Sequence, residues 1–63
     1  MKVLSTHSGD VTLQLSREEV ALLNNALNET LEALEEWELG TRLGAPREAV
    51  ERLLEELGRL NQT

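Results

Sequence analysis

From Ser16 to Glu38 the chain reads as one long helix, apolar on one half and acidic or amide-bearing on the other. Val20, Leu23, Leu27, Leu31, Leu34 and Trp37 recur at steps of three and four, the spacing of a helical stripe turned towards a core. At roughly 100° per residue, Leu22, Ala26 and Ala33 widen that stripe to about half the circumference. Asn24, Asn25, Asn28, Glu29, Glu32, Glu35 and Glu36 fill the other half. A stripe this broad needs more than one packing partner, and a chain of 63 residues holds few. The pattern points to self-association.

Size sharpens that inference. A single domain of this length buries only about 60% of the surface its unfolded chain exposes, so its core is thin. With no cysteine, neither a disulfide nor a thiolate metal site can staple it, and oligomerisation is the remaining common remedy. Fourteen leucines supply most of the apolar content, and Trp37 is the one aromatic side chain. No apolar run approaches the roughly 18 residues of a membrane span, and the first residues lack a signal-peptide apolar region. The expectation is a cytoplasmic protein that does not enter membranes. The net charge is −6, eleven of the twelve acids are glutamates, and no basic residue lies between Arg17 and Arg42. Such a surface repels nucleic acid and anionic lipid, and suits a basic protein partner.

The first sixteen residues carry a strand signal. Val11-Thr-Leu-Gln-Leu15 alternates apolar and polar, Lys2-Val-Leu-Ser-Thr6 is a weaker strand, and His7-Ser-Gly-Asp10 supplies turn residues between them. A two-residue loop at Ser8-Gly9, or a four-residue loop over 7–10, sets Leu4 opposite Leu13 and Thr6 opposite Val11. A three-residue loop would instead pair Val3 with Leu15. The first register is preferred because it gathers Leu4, Val11, Leu13 and Leu15 on one face. Ser16-Arg-Glu-Glu19 is then a capping box that opens the long helix, with Leu15 placed to staple onto Val20. Glu18 and Glu19 also suit the positive end of the helix dipole.

The long helix is expected to stop near Glu38 or Leu39, because Glu38 would project into the middle of the apolar stripe and Gly40 offers a left-handed closing residue. Residues 40–45 read as a connector anchored by Leu43. Pro46 suits the first turn of a second helix, in which Ala49, Val50, Leu53, Leu54, Leu57 and Leu60 form an apolar arc. Glu48 with Arg52, and Glu55 with Arg59, are favourably ordered ion pairs. Gly58 is read as fraying or ending that helix, with 61–63 as a disordered tail. The fold class is therefore α+β in a single domain over 1–63. A β-hairpin at 2–15 precedes a helix at 16–39, the connector at 40–45 and a shorter helix at 46–60, the two helices packed as an αα-hairpin and completed by dimerisation.

Residue chemistry argues against an enzyme. His7 is the only histidine and falls in the turn, so it reads as an exposed turn residue with no second His or Cys to share a metal. Glu29, Glu32, Glu35 and Glu36 share helical spacings, but no histidine follows at the Glu-x-x-His spacing of di-metal bundles, and they face away from the stripe. They read as solvated charge, or as a docking face for a basic partner. No catalytic, cofactor-binding or metal-ligating residues are assigned, and no cofactor is implied.

The interface candidates are Asn24, Leu27, Asn28, Leu31 and Trp37. Three asparagines within five residues lower helix propensity with no local gain, and Asn24 and Asn28 sit one turn apart at the margin of the stripe. There they can fix the register of a helix–helix contact, as buried asparagines do in coiled coils, or be surface positions under little constraint. Trp37 reads as core, with an interface anchor as its second reading.

The order of strand and two helices over Val11 to Leu60, with Val11-Thr-Leu-Gln-Leu-Ser-Arg-Glu-Glu19 as a strand leading into a capped helix, resembles ribbon-helix-helix DNA-binding proteins. That resemblance implies two chains pairing their strands, with Thr12 and Gln14 at the positions that read the major groove. The chain departs from the pattern in a first helix about two turns longer, an additional preceding strand, and no basic residue on the strand after Lys2. A small acidic interaction module that dimerises, and that regulates or neutralises a basic partner, is the favoured function; a DNA-binding regulator is the alternative.

Overall fold

A computed structural model describes residues 1–61. Strand β1 (Lys2–His7) pairs antiparallel with β2 (Asp10–Gln14), and three helices follow: α1 (Arg17–Ala33), α2 (Glu36–Leu43) and α3 (Arg47–Asn61). The α+β reading holds, with a helix more than the sequence suggested.

The hairpin closes through Ser8-Gly9, where Gly9 takes φ 87°, a left-handed value that suits glycine. Ser8 keeps a negative φ, so the turn is not of the type I′ that best matches strand twist. Thr6 faces Val11 as expected. Beyond it the register departs from expectation, because an irregularity between Val3 and Ser5 sets Val3, not Leu4, opposite Leu13. Val3 and Leu4 are adjacent apolar residues, and either satisfies Leu13. The bulge makes the choice and adds local twist that the turn does not supply.

Ser16 caps α1 as the sequence requires. The Glu19 amide donates to Ser16 Oγ at 3.1 Å, and the Ser16 amide donates to Glu19 Oε1 at 2.9 Å. The far end of the helix is the main correction. There is no single helix over 16–39, because the chain turns extended at Leu34 (φ −102°, ψ 140°) and restarts from Glu35. Glu38 reaches back so that its Oε1 accepts the Glu35 amide at 3.0 Å, while Oε2 pairs with Arg42 Nε at 3.4 Å. A continuous helix would have driven the Glu38 carboxylate into the stripe, at a cost of several kcal/mol for an unpaired buried charge. At the break that carboxylate stays largely covered but meets the Glu35 amide and Arg42, and Leu39 takes the core position, where it is fully buried.

Much of the segment expected as a 40–45 connector is therefore helix α2. Gly40 lies inside it, and Gly44, at φ 72°, closes it as the left-handed cap. Nor does Gly58 end α3, which runs through it to Asn61; the rest of the expected tail, residues 62–63, lies outside the described residues. Gly58 sits where α3 crosses α1, and a Cβ there would stand 3.7 Å from Asn24 Oδ1. At the other end of α3, Arg47 Nη2 donates to the Leu31 carbonyl at 3.4 Å. Asn24 with Gly58 and Leu31 with Arg47 make α1 and α3 antiparallel. Arg47 also supplies the cation that the last turn of α1 lacks.

Helix α3 packs along α1, and α2 touches α3 lightly. Leu39 and Val50 are the only buried apolar side chains among the described residues, and Leu39 alone is fully buried. Arg47 pairs with Glu51 at 3.6 Å where Glu48–Arg52 was expected, whereas Arg59–Glu55 forms as read, at 3.8 Å.

Candidate interface

Neither strand makes an extended contact with any helix. Besides the chain itself at Leu15-Ser16, the Met1 ammonium ties the hairpin end to the helices, donating to Glu19 Oε2 at 2.6 Å. That ammonium and the Ser16 amide hold the Glu19 carboxyl below its ordinary value of 4.5.

The pairing register divides the hairpin into two faces. Val3, Thr6, Val11 and Leu13 share one; Lys2, Ser5, His7, Asp10, Thr12 and Gln14 share the other. An alternating hairpin normally lays its apolar face on a second layer. Here Val3 is 59% exposed, Val11 61% and Leu13 43%. A two-stranded sheet alone in water is marginal, so this face is unfinished structure.

The helices repeat the theme. Leu22 and Leu23 on α1 and Leu53 on α3 are exposed, and Leu27, Leu43, Ala45, Ala49, Val50 and Leu53 line an open apolar groove of about 340 Å³. The whole chain exposes 5072 Å², where the size scaling of compact monomers gives about 4,100 Å² for 7.1 kDa. Its radius of gyration is 12.9 Å against about 10.6 Å for a compact domain of this length. The short axis of the molecule measures 15 Å. These three figures describe an open, flattened molecule.

The candidate residues fall in different places. Leu27 and Leu31 are half-buried, Leu27 in the groove and Leu31 beside Arg47. Asn24 is half-buried against Gly58 of its own chain, which gives it an internal contact, and Asn28 is exposed. Trp37 is not core. It stands in the first turn of α2 with 73% of its surface exposed, because the break at Leu34 rotates α2 and hands the core position to Leu39. Val3, Val11, Leu13, Leu22 and Leu53 are further exposed apolar side chains. The sequence places Val11, Leu13, Leu22 and Leu53 on apolar faces turned to a core, and Val3 outside the face of the preferred register. The signal that finds them is the mismatch between the number of apolar positions and the number of elements available to cover them.

Among the described residues no cluster of His, Cys, Asp or Glu is placed to hold a metal ion, and no buried side-chain polar atom lacks a partner. No helix is long and apolar enough to cross a membrane. No protein-family model, curated protein or solved structure matches the chain.

Proposed function

We propose that this chain is a small protein–protein interaction module that works as a homodimer, its acidic helical faces turned to solvent or to a basic protein partner. The observation that carries the reading is the exposed apolar hairpin face of Val3, Val11 and Leu13, with which no helix among the described residues makes an extended contact. The partner that completes the hairpin is a second copy for two reasons. First, the chain exposes roughly 1,000 Å² beyond the compact-monomer scaling, close to the roughly 800 Å² per partner of a standard specific interface. Second, Lys2 and Asp10 cancel within residues 1–16, so the entire −6 resides on the helices and two hairpins meet without net repulsion.

The same charge distribution weighs against the DNA-binding alternative. A strand face that reads a groove needs cations to neutralise phosphate, and the hairpin's polar face offers Lys2 and His7 beside Asp10. The acidic faces of α1 and α3 would oppose the duplex. Light scattering at tens of micromolar tests the dimer: the expected mass is twice 7.1 kDa. A monomer under those conditions contradicts the proposal.

A further inference from the structure

We infer that two copies join edge to edge along β2, giving a four-stranded antiparallel sheet in the order β1-β2-β2′-β1′ with Thr12 facing its own copy across the two-fold axis. This rests on the dimer reading and specifies how the dimer is built.

A two-stranded sheet has two open edges, and here they differ. The outer edge of β1 is interrupted between Val3 and Ser5, and a bulge at an edge bends the strand and blunts it as a pairing template. Strand β2 pairs without irregularity from Asp10 to Gln14, contains no proline, and carries one charge at its turn end. No helix makes an extended contact with it. The regular edge is the one open to another strand.

Symmetry and side-chain alternation then choose the register. Residues directly opposite one another point to the same face, and a slip of one residue reverses every side chain. A register with Val11 opposite Thr12 would join the apolar face of one copy to the polar face of the other. Centring the axis on Thr12 pairs all five residues of β2: Asp10 with Gln14, Val11 with Leu13, and Thr12 with itself. Asp10 thereby meets an amide and avoids its own charge. The product carries Val3, Val11 and Leu13 from both copies on one continuous apolar face. Four strands with such a face exceed the minimum for a stable sheet, which the lone hairpin does not.

The absence of native cysteine makes the test direct. Opposed Cα atoms in an antiparallel pair stand about 4.5–5.5 Å apart, within the roughly 4.4–6.8 Å that a disulfide spans. Thr12→Cys, folded as judged by circular dichroism under reducing conditions, is expected to oxidise almost entirely to a covalent dimer on a non-reducing gel. Ser5→Cys is expected to stay uncross-linked, because three strand spacings, about 14 Å, separate the two copies of that position. A mixture of Asp10→Cys and Gln14→Cys chains reads the same register independently: each is expected to cross-link to the other and not to itself. If light scattering gives a dimer while Thr12→Cys stays uncross-linked, or Ser5→Cys cross-links in its place, the edge assignment is overturned and the dimer stands. A chain monomeric by light scattering overturns both.

Discussion

Replacing Leu39 and Trp37 separately by alanine tests the break that divides the central helix. The two residues lie two positions apart in α2, yet Leu39 is fully buried and Trp37 is 73% exposed. Leu39→Ala removes the equivalent of three buried methylenes, about 2.4 kcal/mol by transfer alone, and leaves a cavity. Measured Leu→Ala changes run from about 2.7 to 5 kcal/mol. In a core this thin the surroundings can collapse onto the gap, so the lower end applies, about 3 kcal/mol. At about 1.4 kcal/mol per factor of ten, that is more than a hundredfold in the folding equilibrium. A domain of this length has only roughly 3–9 kcal/mol in all, so the variant is expected to be largely unfolded in mild urea. Trp37→Ala is expected to change folding by less than about 0.5 kcal/mol, as exposed substitutions do. Urea unfolding followed by circular dichroism, at equal chain concentrations, measures both. Equal losses, or a larger loss for Trp37→Ala, would refute the reasoning and restore a continuous helix with tryptophan in its stripe.

Glycine substitutions separate two uses of the residue. Gly40→Ala, in the interior of α2 with open space around a new Cβ, is expected to stabilise by about 0.5–1 kcal/mol, whereas Gly44→Ala, at φ 72°, is expected to destabilise by about 1–2 kcal/mol; thermal melts decide the signs. Arg47→Ala loses the bond to the Leu31 carbonyl and the pair with Glu51, and a cost of about 1 kcal/mol in urea unfolding is expected, with Arg47→Lys recovering part of it. The Glu19 carboxyl is held low by the Met1 ammonium first and the Ser16 amide second. A depressed folded value means the stabilisation is present above 4.5 and fades as pH falls through the lowered value. Stability curves below pH 4.5 are expected to be flatter for Glu19→Gln than for the parent chain, and parallel curves would contradict the assignment.

Local signals carried far into the structure where their chemistry was self-contained. Ser16 and Glu19 satisfy each other, so the start of α1 was legible to the residue, and Ser8-Gly9 marked the hairpin turn for the same reason. The break at Leu34 was not legible. No glycine or proline announces it, and a glutamate at the capping position is a weak version of the usual Ser, Thr, Asn or Asp. The clue was present in Glu38, whose place in the apolar stripe signalled a conflict. The chain resolves that conflict by capping a new helix at Glu35, three residues before Glu38. Leu4 and Val3 show the limit on the strand side, because two adjacent apolar residues leave the register to the backbone. For the interface, amphipathicity gave the extent of apolar surface but not its location. Only the placement of α3 against α1 shows that Asn24 already has an internal neighbour, while Val11 and Leu13 meet cross-strand residues and no extended helix contact.

The central claim is that a second copy pairs with the hairpin along β2, setting Val11 of each chain against Leu13 of the other. Sedimentation equilibrium across a dilution series, on the parent chain and on Val11→Thr/Leu13→Thr, tests it most directly. Threonine keeps strand propensity while removing apolar area, and an isologous interface suffers each change twice. The parent is expected to sediment at twice 7.1 kDa, and the variant to keep its helical circular dichroism while its dissociation constant rises at least tenfold, a loss of about 1.4 kcal/mol or more. A parent and a variant of the same mass at every dilution would contradict the claim.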